Sequence, residues 1–147
     1  MFVLVKTSNP SSGDLQDLVF KNKVKEEKDL ALYELMGHYL ESWGADDLGE
    51  SGYSFVGAVV GATFPDQAER LREIMPQNIF LVPGYGAQGG LARDVKRCFN
   101  EDGLGAIINS SRGIIYAWED SDIYTEKDYA EAARGAVLKM KKDLESC

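Results

Sequence analysis

Four short apolar runs recur along the chain, each closed by turn residues and followed by helical spacing. They are Phe2 to Val5 ending in Thr7-Ser8-Asn9-Pro10, and Phe55 to Val60 ending in Gly61-Ala62-Thr63. The third is Ile79 to Val82, ending in Pro83-Gly84-Tyr85-Gly86, and the fourth is Ala106 to Ile108, ending in Asn109 to Gly113. Near-continuous runs rich in β-branched residues, without strict alternation, predict strands buried on both faces of a parallel sheet.

The segments between them carry a period near 3.6. Leu32, Leu35, Met36, Tyr39, Leu40 and Trp43 form one stripe, with Gly44 placed to end the helix. Thr63 and Asp66 have capping-box spacing around Pro65; Phe64, Ala68, Leu71 and Met75 supply an apolar face, and Pro76 stops it. Leu91 to Phe99 predicts a shorter helix. Thr125 and Asp128 cap the last, with Tyr129, Ala133, Ala136, Val137, Met140 and Leu144 as its buried stripe. Met36, Trp43 and the other aromatics on these stripes are expected in the core. Between Asp14 and Asp29 the pattern is weak and charged. It predicts a surface excursion turning near Asn22, with Lys21 to Lys28 as a solvated face.

The predicted order is therefore β-α-β-α-β-α-β-α with right-handed crossovers, an α/β fold of parallel strands. Ligands of such folds sit at the carboxyl ends of the strands, where this chain gathers its Gly, Ser, Asn, Gln and Arg. At 147 residues, 44% hydrophobic and 27% charged, the chain reads as one domain of a soluble protein, residues 1–147. A net charge of −8 argues against nucleic-acid or anionic-membrane partners, so a phosphate would have to be captured locally. No apolar run approaches the roughly 20 residues of a membrane span. The polar turn from Lys6 to Pro10 argues against a secretory leader. Two cysteines, Cys98 and Cys147, without metal or redox spacing suit a reduced, cytoplasmic protein.

Three strand ends carry candidate chemistry. Pro83 to Gly90 holds Gly84, Gly86, Gly89 and Gly90, more than one turn requires. Glycines permit positive φ and bring bare N–H groups close to an anion. Gly84, Gly86 and Gly89 also spell G-x-G-x-x-G, opening a dinucleotide-binding oxidoreductase as an alternative. The acidic residue expected about 20 positions on is missing, however; Asn109 and Ser110 stand there. In the second segment, Arg112 follows Ser110 and Ser111, and a guanidinium among small residues at a strand end can fork onto a phosphate. The third, Thr7-Ser8-Asn9-Pro10, offers hydroxyl and amide groups to a ligand's polar edge or simply makes a turn. Lys6 shares strand parity with Ser8, which points both into a barrel, with a structural ion pair as the plainer alternative. His38, beside Glu34 and Glu41, reads as a solvated side chain.

At these strand ends the sequence resembles orotidine 5'-phosphate decarboxylase in its longer bacterial form. The resemblance lies in Val5 to Ser12, Val56 to Thr63, Leu81 to Gly90 and Ile107 to Tyr116, in that order. It implies a TIM barrel that converts orotidine monophosphate to UMP and CO2 in pyrimidine biosynthesis, with no metal or organic cofactor. By motif, Ser8 would hydrogen-bond the pyrimidine edge, Pro83 would wall the base, and Gln88 would contact the phosphate. Arg112 would hold the phosphate by its side chain, beside the Ser111 and Arg112 amides. The family's Asp-x-Lys-x-x-Asp motif, whose Lys protonates C6 of the pyrimidine, does not occur in residues 1–147. The family enzyme is also a dimer in which one Asp comes from the neighbouring subunit. The resemblance thus implies the carboxyl-terminal (β/α)4 half of a TIM (β/α)8 barrel, units 5–8. Such a chain grips orotidine or uridine 5'-monophosphate without the catalytic network, as a homo-oligomer or with a missing amino-terminal half. A noncatalytic phosphate-binding half-barrel is the further alternative.

Overall fold

All four apolar runs become parallel strands of one sheet. In the computed structural model, which describes residues 1–21, 29–86 and 88–147, these are β1 (Phe2–Lys6), β4 (Gly57–Val60), β5 (Phe80–Pro83) and β6 (Ala106–Asn109). They lie side by side in chain order, β1-β4-β5-β6. Between β1 and β4 come α1 (Gly13–Gln16), a two-residue antiparallel pair β2 (Val19–Phe20) and β3 (Leu30–Ala31), and α2 (Leu32–Gly44). The crossovers that follow are α3 (Pro65–Ile74) and α4 (Ala92–Val95), the latter continued by a 3-10 turn over Lys96–Cys98. After β6 come α5 (Ser111–Ile115) and the terminal α6 (Tyr129–Glu145). The expected turn near Asn22, and the Lys-rich face beyond Lys21, lie outside the described residues.

One face of the sheet is packed and the other is open. Val5, Ala58, Val60, Phe80 and Val82 are buried against Leu40 of α2, Leu71 and Met75 at α3, and Val95 of α4. Each of the larger of these side chains contributes on the order of 1.5–3 kcal/mol by leaving water. On the other face, Leu4, Val59, Leu81 and Ile107 form one row across the strands, each paired in register with the next. Leu4 and Ile107, at the two edges, are 64% and 52% exposed. Inward-facing apolar rows of this kind fill the interior of a closed (β/α)8 barrel; here four strands leave the row uncovered. The architecture is a half-barrel.

The foot of the sheet is pinned by Arg72. Its guanidinium donates to the carbonyls of Cys98 at 2.8 and 2.9 Å, Met75 at 2.8 Å, Asn78 at 2.9 Å and Gly105 at 2.9 Å. It also lies 3.6 Å over the Phe80 ring. Burial pulls its pKa down to about 10, so it stays charged at neutral pH. The carbonyls around it come from the ends of α3 and of the Lys96–Cys98 turn and from the approaches to β5 and β6. One side chain thereby ties together the segments leading into two strands.

Several local expectations are corrected. Thr63 does not cap α3: Phe64 is its N-cap residue with Pro65 next, and Thr63 Oγ1 donates to the Ser8 carbonyl instead, at 2.9 Å. The Thr125–Asp128 capping box does form, on a 3-10 turn leading into α6. The stripe of α6 is not buried as a whole, since Tyr129 and Val137 are exposed and Ala132 is the helix's buried residue. Trp43 is 55% exposed, stacked on Tyr39 at 5.8 Å. Both corrections have one cause: α6 and the outer side of α2 lie beside the two end strands, where no further βα unit among the described residues covers them.

Candidate functional site at the carboxyl ends of the strands

Lys6 is the first residue to meet its expectation differently. β1 carries a register shift in which Leu4 pairs with Val59 and Lys6 with Val60, so two steps on β1 match one on β4. Val5 is the extra residue, and it turns Lys6 from the barrel side to the helix side. There the ammonium, with no exposure, donates to Asp17 Oδ1 at 2.8 Å and stands 4.3 Å over the Phe64 ring. Gln67 Nε2 donates to the same carboxylate oxygen at 3.0 Å. Lys6 is the structural ion pair, not a group facing the barrel.

That pair holds the base of the loop carrying Ser8. Gln16 Oε1 accepts from the Thr7 backbone N–H at 3.0 Å, and Thr63 binds the Ser8 carbonyl. Gly61 and Gly84 let the loop settle where it does. A Cβ at Gly61 would lie 2.6 Å from Ser8 N, and one at Gly84 (φ +99°) would lie 3.1 Å from Ser8 Cβ. Ser8 Oγ then donates across the sheet to Gln88 Oε1 at 2.7 Å, which leaves Gln88 Nε2 as a donor toward solvent.

The glycine loop after β5 is folded on itself. Gly86 N–H donates to Gly90 O at 2.9 Å, and Gly90 N–H donates to Gly84 O at 3.1 Å. Gly84, Gly86 and Gly89 have φ values of +99°, +72° and +96°, the conformation for which glycine is suited. Gly90 is required differently: a Cβ there would come 2.6 Å from Ala62 Cβ and 2.8 Å from Gly84 O. Tyr85 anchors the loop from below, its hydroxyl donating to the Asp143 carboxylate of α6 and its carbonyl accepting from Ser110 Oγ at 3.3 Å. Burial, with the Asp143 hydrogen bond second, raises the Tyr85 pKa to about 12.

Between this loop and the end of β6 lies a small recess of about 110 Å³. Pro83, Gly84, Tyr85, Gln88, Asn109, Ser110, Ser111 and Arg112 line it. Five of the residues singled out in the sequence therefore meet at one place: Pro83, Gly84, Gln88, Ser111 and Arg112. Ser8 joins them through its bond to Gln88. Gly86, Gly89 and Gly90 shape the loop behind the recess without lining it. Arg112 is exposed and enters no ion pair among the described residues. A cation beside hydroxyls, an amide donor and a proline wall suits an anion attached to a flat, partly apolar ring. Of the residues that hold the Ser8 loop, Thr63 is expected from the sequence only as a helix cap, and Gln16 and Asp17 are not singled out there. Thr63 offered a signal as a hydroxyl directly after a strand; Gln16 and Asp17 had none, because their partners lie across a loop. His38 is exposed on α2 and does not line the recess.

A half-barrel of parallel βα units with a glycine loop and an arginine after consecutive strands has the layout of a β/α-barrel phosphate binder. Comparison with known proteins carries this further. Over 98% of its own length the chain is similar to orotidine 5'-phosphate decarboxylases. It is 44% identical over 144 residues to the orotidine 5'-phosphate decarboxylase of Caldicellulosiruptor bescii, covering 98% of this chain and 44% of that protein. To the one of Rhodopirellula baltica it is 42% identical over 147 residues, covering 98% and 46%. Among solved structures, the Leishmania donovani OMP decarboxylase superposes with a TM-score of 0.68 at 32% identity, covering 99% of this chain and 46% of that one. The Leishmania donovani UMP synthase gives 0.65 at 35% identity, over 93% and 26%. No family profile matches the chain. The chain spans about half the length of the curated relatives it matches. None of these relatives favours a dinucleotide-binding oxidoreductase. No helix among the described residues is long and apolar enough to cross a membrane.

Proposed function

We propose that this chain is the phosphate- and pyrimidine-gripping half of an orotidine 5'-phosphate decarboxylase, corresponding to βα units 5–8. The observation that carries the proposal is the recess that gathers Pro83, Gln88, Ser111 and Arg112 at one strand-end rim, with Ser8 bonded to Gln88. In this assignment Arg112 takes the nucleotide phosphate in a charge-assisted fork, beside the Ser111 and Arg112 amides. Gln88 Nε2 adds a donor from the opposite side. Pro83 walls the base, and Ser8 reaches the pyrimidine edge by exchanging its bond to Gln88 for one to the ligand.

The chain alone grips but does not react. Decarboxylation develops negative charge at the pyrimidine carbon, which needs a placed cation and a proton donor. Lys6, the lysine nearest the rim in sequence, is committed to Asp17 behind the sheet. A partner segment must bring the Lys and Asp groups that residues 1–147 lack. Remote phosphate binding then serves orientation in the assembled enzyme. Two free cysteines, Cys98 buried and Cys147 exposed, accord with a cytoplasmic biosynthetic protein.

Titrating UMP into the chain by calorimetry tests the grip: binding is expected, and Arg112→Ala should weaken it about 10–100-fold. Unchanged affinity in that variant would remove the proposed site. Mixing the chain with a polypeptide carrying the Lys/Asp motif should yield UMP from orotidine monophosphate. A well-assembled but inactive mixture would reject the catalytic part of the proposal.

A further inference from the structure

Lys6 and Asp17 stand at the two ends of the loop that carries Ser8. Lys6 is the last residue of β1 and Asp17 the C-cap residue of α1, and their bond of 2.8 Å closes the chain between them on itself. A second bond lies one step inside the first, from the Thr7 backbone N–H to Gln16 Oε1 at 3.0 Å. The closed loop is also fastened to the junction of β4 and α3. There Lys6 stands 4.3 Å over the Phe64 ring, Gln67 Nε2 donates to Asp17 Oδ1 at 3.0 Å, and Thr63 Oγ1 donates to the Ser8 carbonyl at 2.9 Å. These contacts run in parallel. Lys6 holds Asp17 and Phe64, and the next residues along, Thr7 and Ser8, hold Gln16 and Thr63, each one position before those partners.

Stability does not account for a lysine at this place. Removing an ammonium from water is costly, and a buried ion pair seldom stabilises a fold more than apolar residues of the same volume would. What such a pair can supply is a single arrangement, since a charge with no exposure must keep the acceptor it has. Here the acceptor sits on the returning end of the loop, so the arrangement it selects is the path of the loop itself.

We propose that Lys6 is a positioning residue for base recognition: acting through Asp17, Phe64 and Gln67, it sets where Ser8 Oγ stands relative to Gln88 and the recess. The inference rests on the pyrimidine-contacting role proposed for Ser8, and it gives Lys6 no contact with the ligand. It separates two parts of the affinity. The base-dependent part passes through the closed loop, whereas the phosphate-dependent part is carried by Arg112, which α5 holds after the far strand.

The test compares UMP with ribose 5-phosphate, which has the phosphate and no base, by calorimetry on the 147-residue chain. Lys6→Met should weaken UMP binding about three- to fivefold, no more than loss of the Ser8 hydroxyl does, and leave ribose 5-phosphate within about twofold. In a Ser8→Ala background the same substitution should change UMP affinity by less than about twofold. Gln67→Leu removes the bond from α3 to Asp17 and should act in the same direction, which keeps the comparison open if Lys6→Met fails to fold. Hydrogen exchange gives a readout without ligand: in either variant the Thr7 amide should exchange about tenfold faster or more, while the amides of β5 keep their protection. Equal weakening of both ligands, an undiminished effect in the Ser8→Ala background, or folded variants with unchanged UMP affinity would each overturn the assignment. A parent chain that binds neither ligand would reject the nucleotide reading instead. The tether is then judged by exchange, where faster Thr7 exchange upholds it and unchanged protection overturns it.

Discussion

Ser8 Oγ donates to Gln88 Oε1 over 2.7 Å, although eighty positions separate the two residues. The bond joins the loop after β1 to the glycine loop after β5, across the intervening β4. The rim therefore has a latch before any ligand arrives, and Gln88 is oriented by the residue proposed to read the base.

Ser8→Ala should remove the latch and one ligand contact while leaving the fold intact. One hydrogen bond is worth about 1 kcal/mol, so UMP affinity is expected to fall roughly fivefold in calorimetry. The double variant Ser8→Ala with Gln88→Ala should lose less than the sum of the singles, because the residues share a bond. Strict additivity would mean the latch has no bearing on binding.

Asp17→Ala and Lys6→Met should differ sharply, although both break the same ion pair. The first leaves a buried ammonium facing only Phe64 and is expected to cost about 3–5 kcal/mol. The second replaces the cation by an apolar chain of similar length and should cost much less, because Asp17 is partly exposed. Urea denaturation followed by circular dichroism would give both values. Equal losses would show that the pair contributes by packing alone.

Arg72→Met should destabilise the chain by about 3–5 kcal/mol, since it orphans carbonyls at the foot of two strands. Arg72→Lys should recover little of this, because one ammonium cannot reach acceptors fanned around a planar guanidinium. Arg70 offers the contrast. It pairs with Glu34 and Glu73 at the surface, and Arg70→Ala is expected to cost less than about 1 kcal/mol.

The two thiols should react in separate phases. Burial pushes the Cys98 pKa up to about 12 from 9.0, whereas Cys147 is exposed. At pH 8 a disulfide reagent should titrate one thiol in the native chain and the second only on unfolding. The sign of the shift also sets a pH effect. A folded-state pKa above the unfolded value means that the contribution is complete below pH 9 and is lost as pH rises from there toward 12. Native-state labelling of both thiols at one rate would contradict this burial.

The four strands were legible because each is apolar on both faces, and the spacing of Gly, Pro and small polar residues marked where they stop. The helices α2 and α3 were legible for the matching reason, a stripe at the right period. What a stripe cannot report is whether anything covers it. Tyr39, Trp43, Tyr129 and Val137 have the periodicity of core residues and are exposed among the described residues. Thr63 looked like a cap because capping is a local pattern; its hydroxyl instead serves Ser8, fifty-five positions away. The clustering of Pro83, Gln88, Ser111 and Arg112 followed from topology, once adjacent parallel strands were expected to end at one rim. Lys6 takes the second of its two readings, the structural ion pair, because alternation fixes a side chain's direction only while the ladder stays in step.

That broken step has a chemical meaning. Val5 acts as a switch of facing within β1, and through it an ammonium two residues before Ser8 is withheld from the ligand side. The cation lining the rim recess is consequently Arg112, on α5 beyond the far strand, and the β1 end offers neutral groups. A deletion of Val5 would restore a one-to-one ladder, Leu4 opposite Val59 and the lysine opposite Val60, and would leave the ammonium on the packed side.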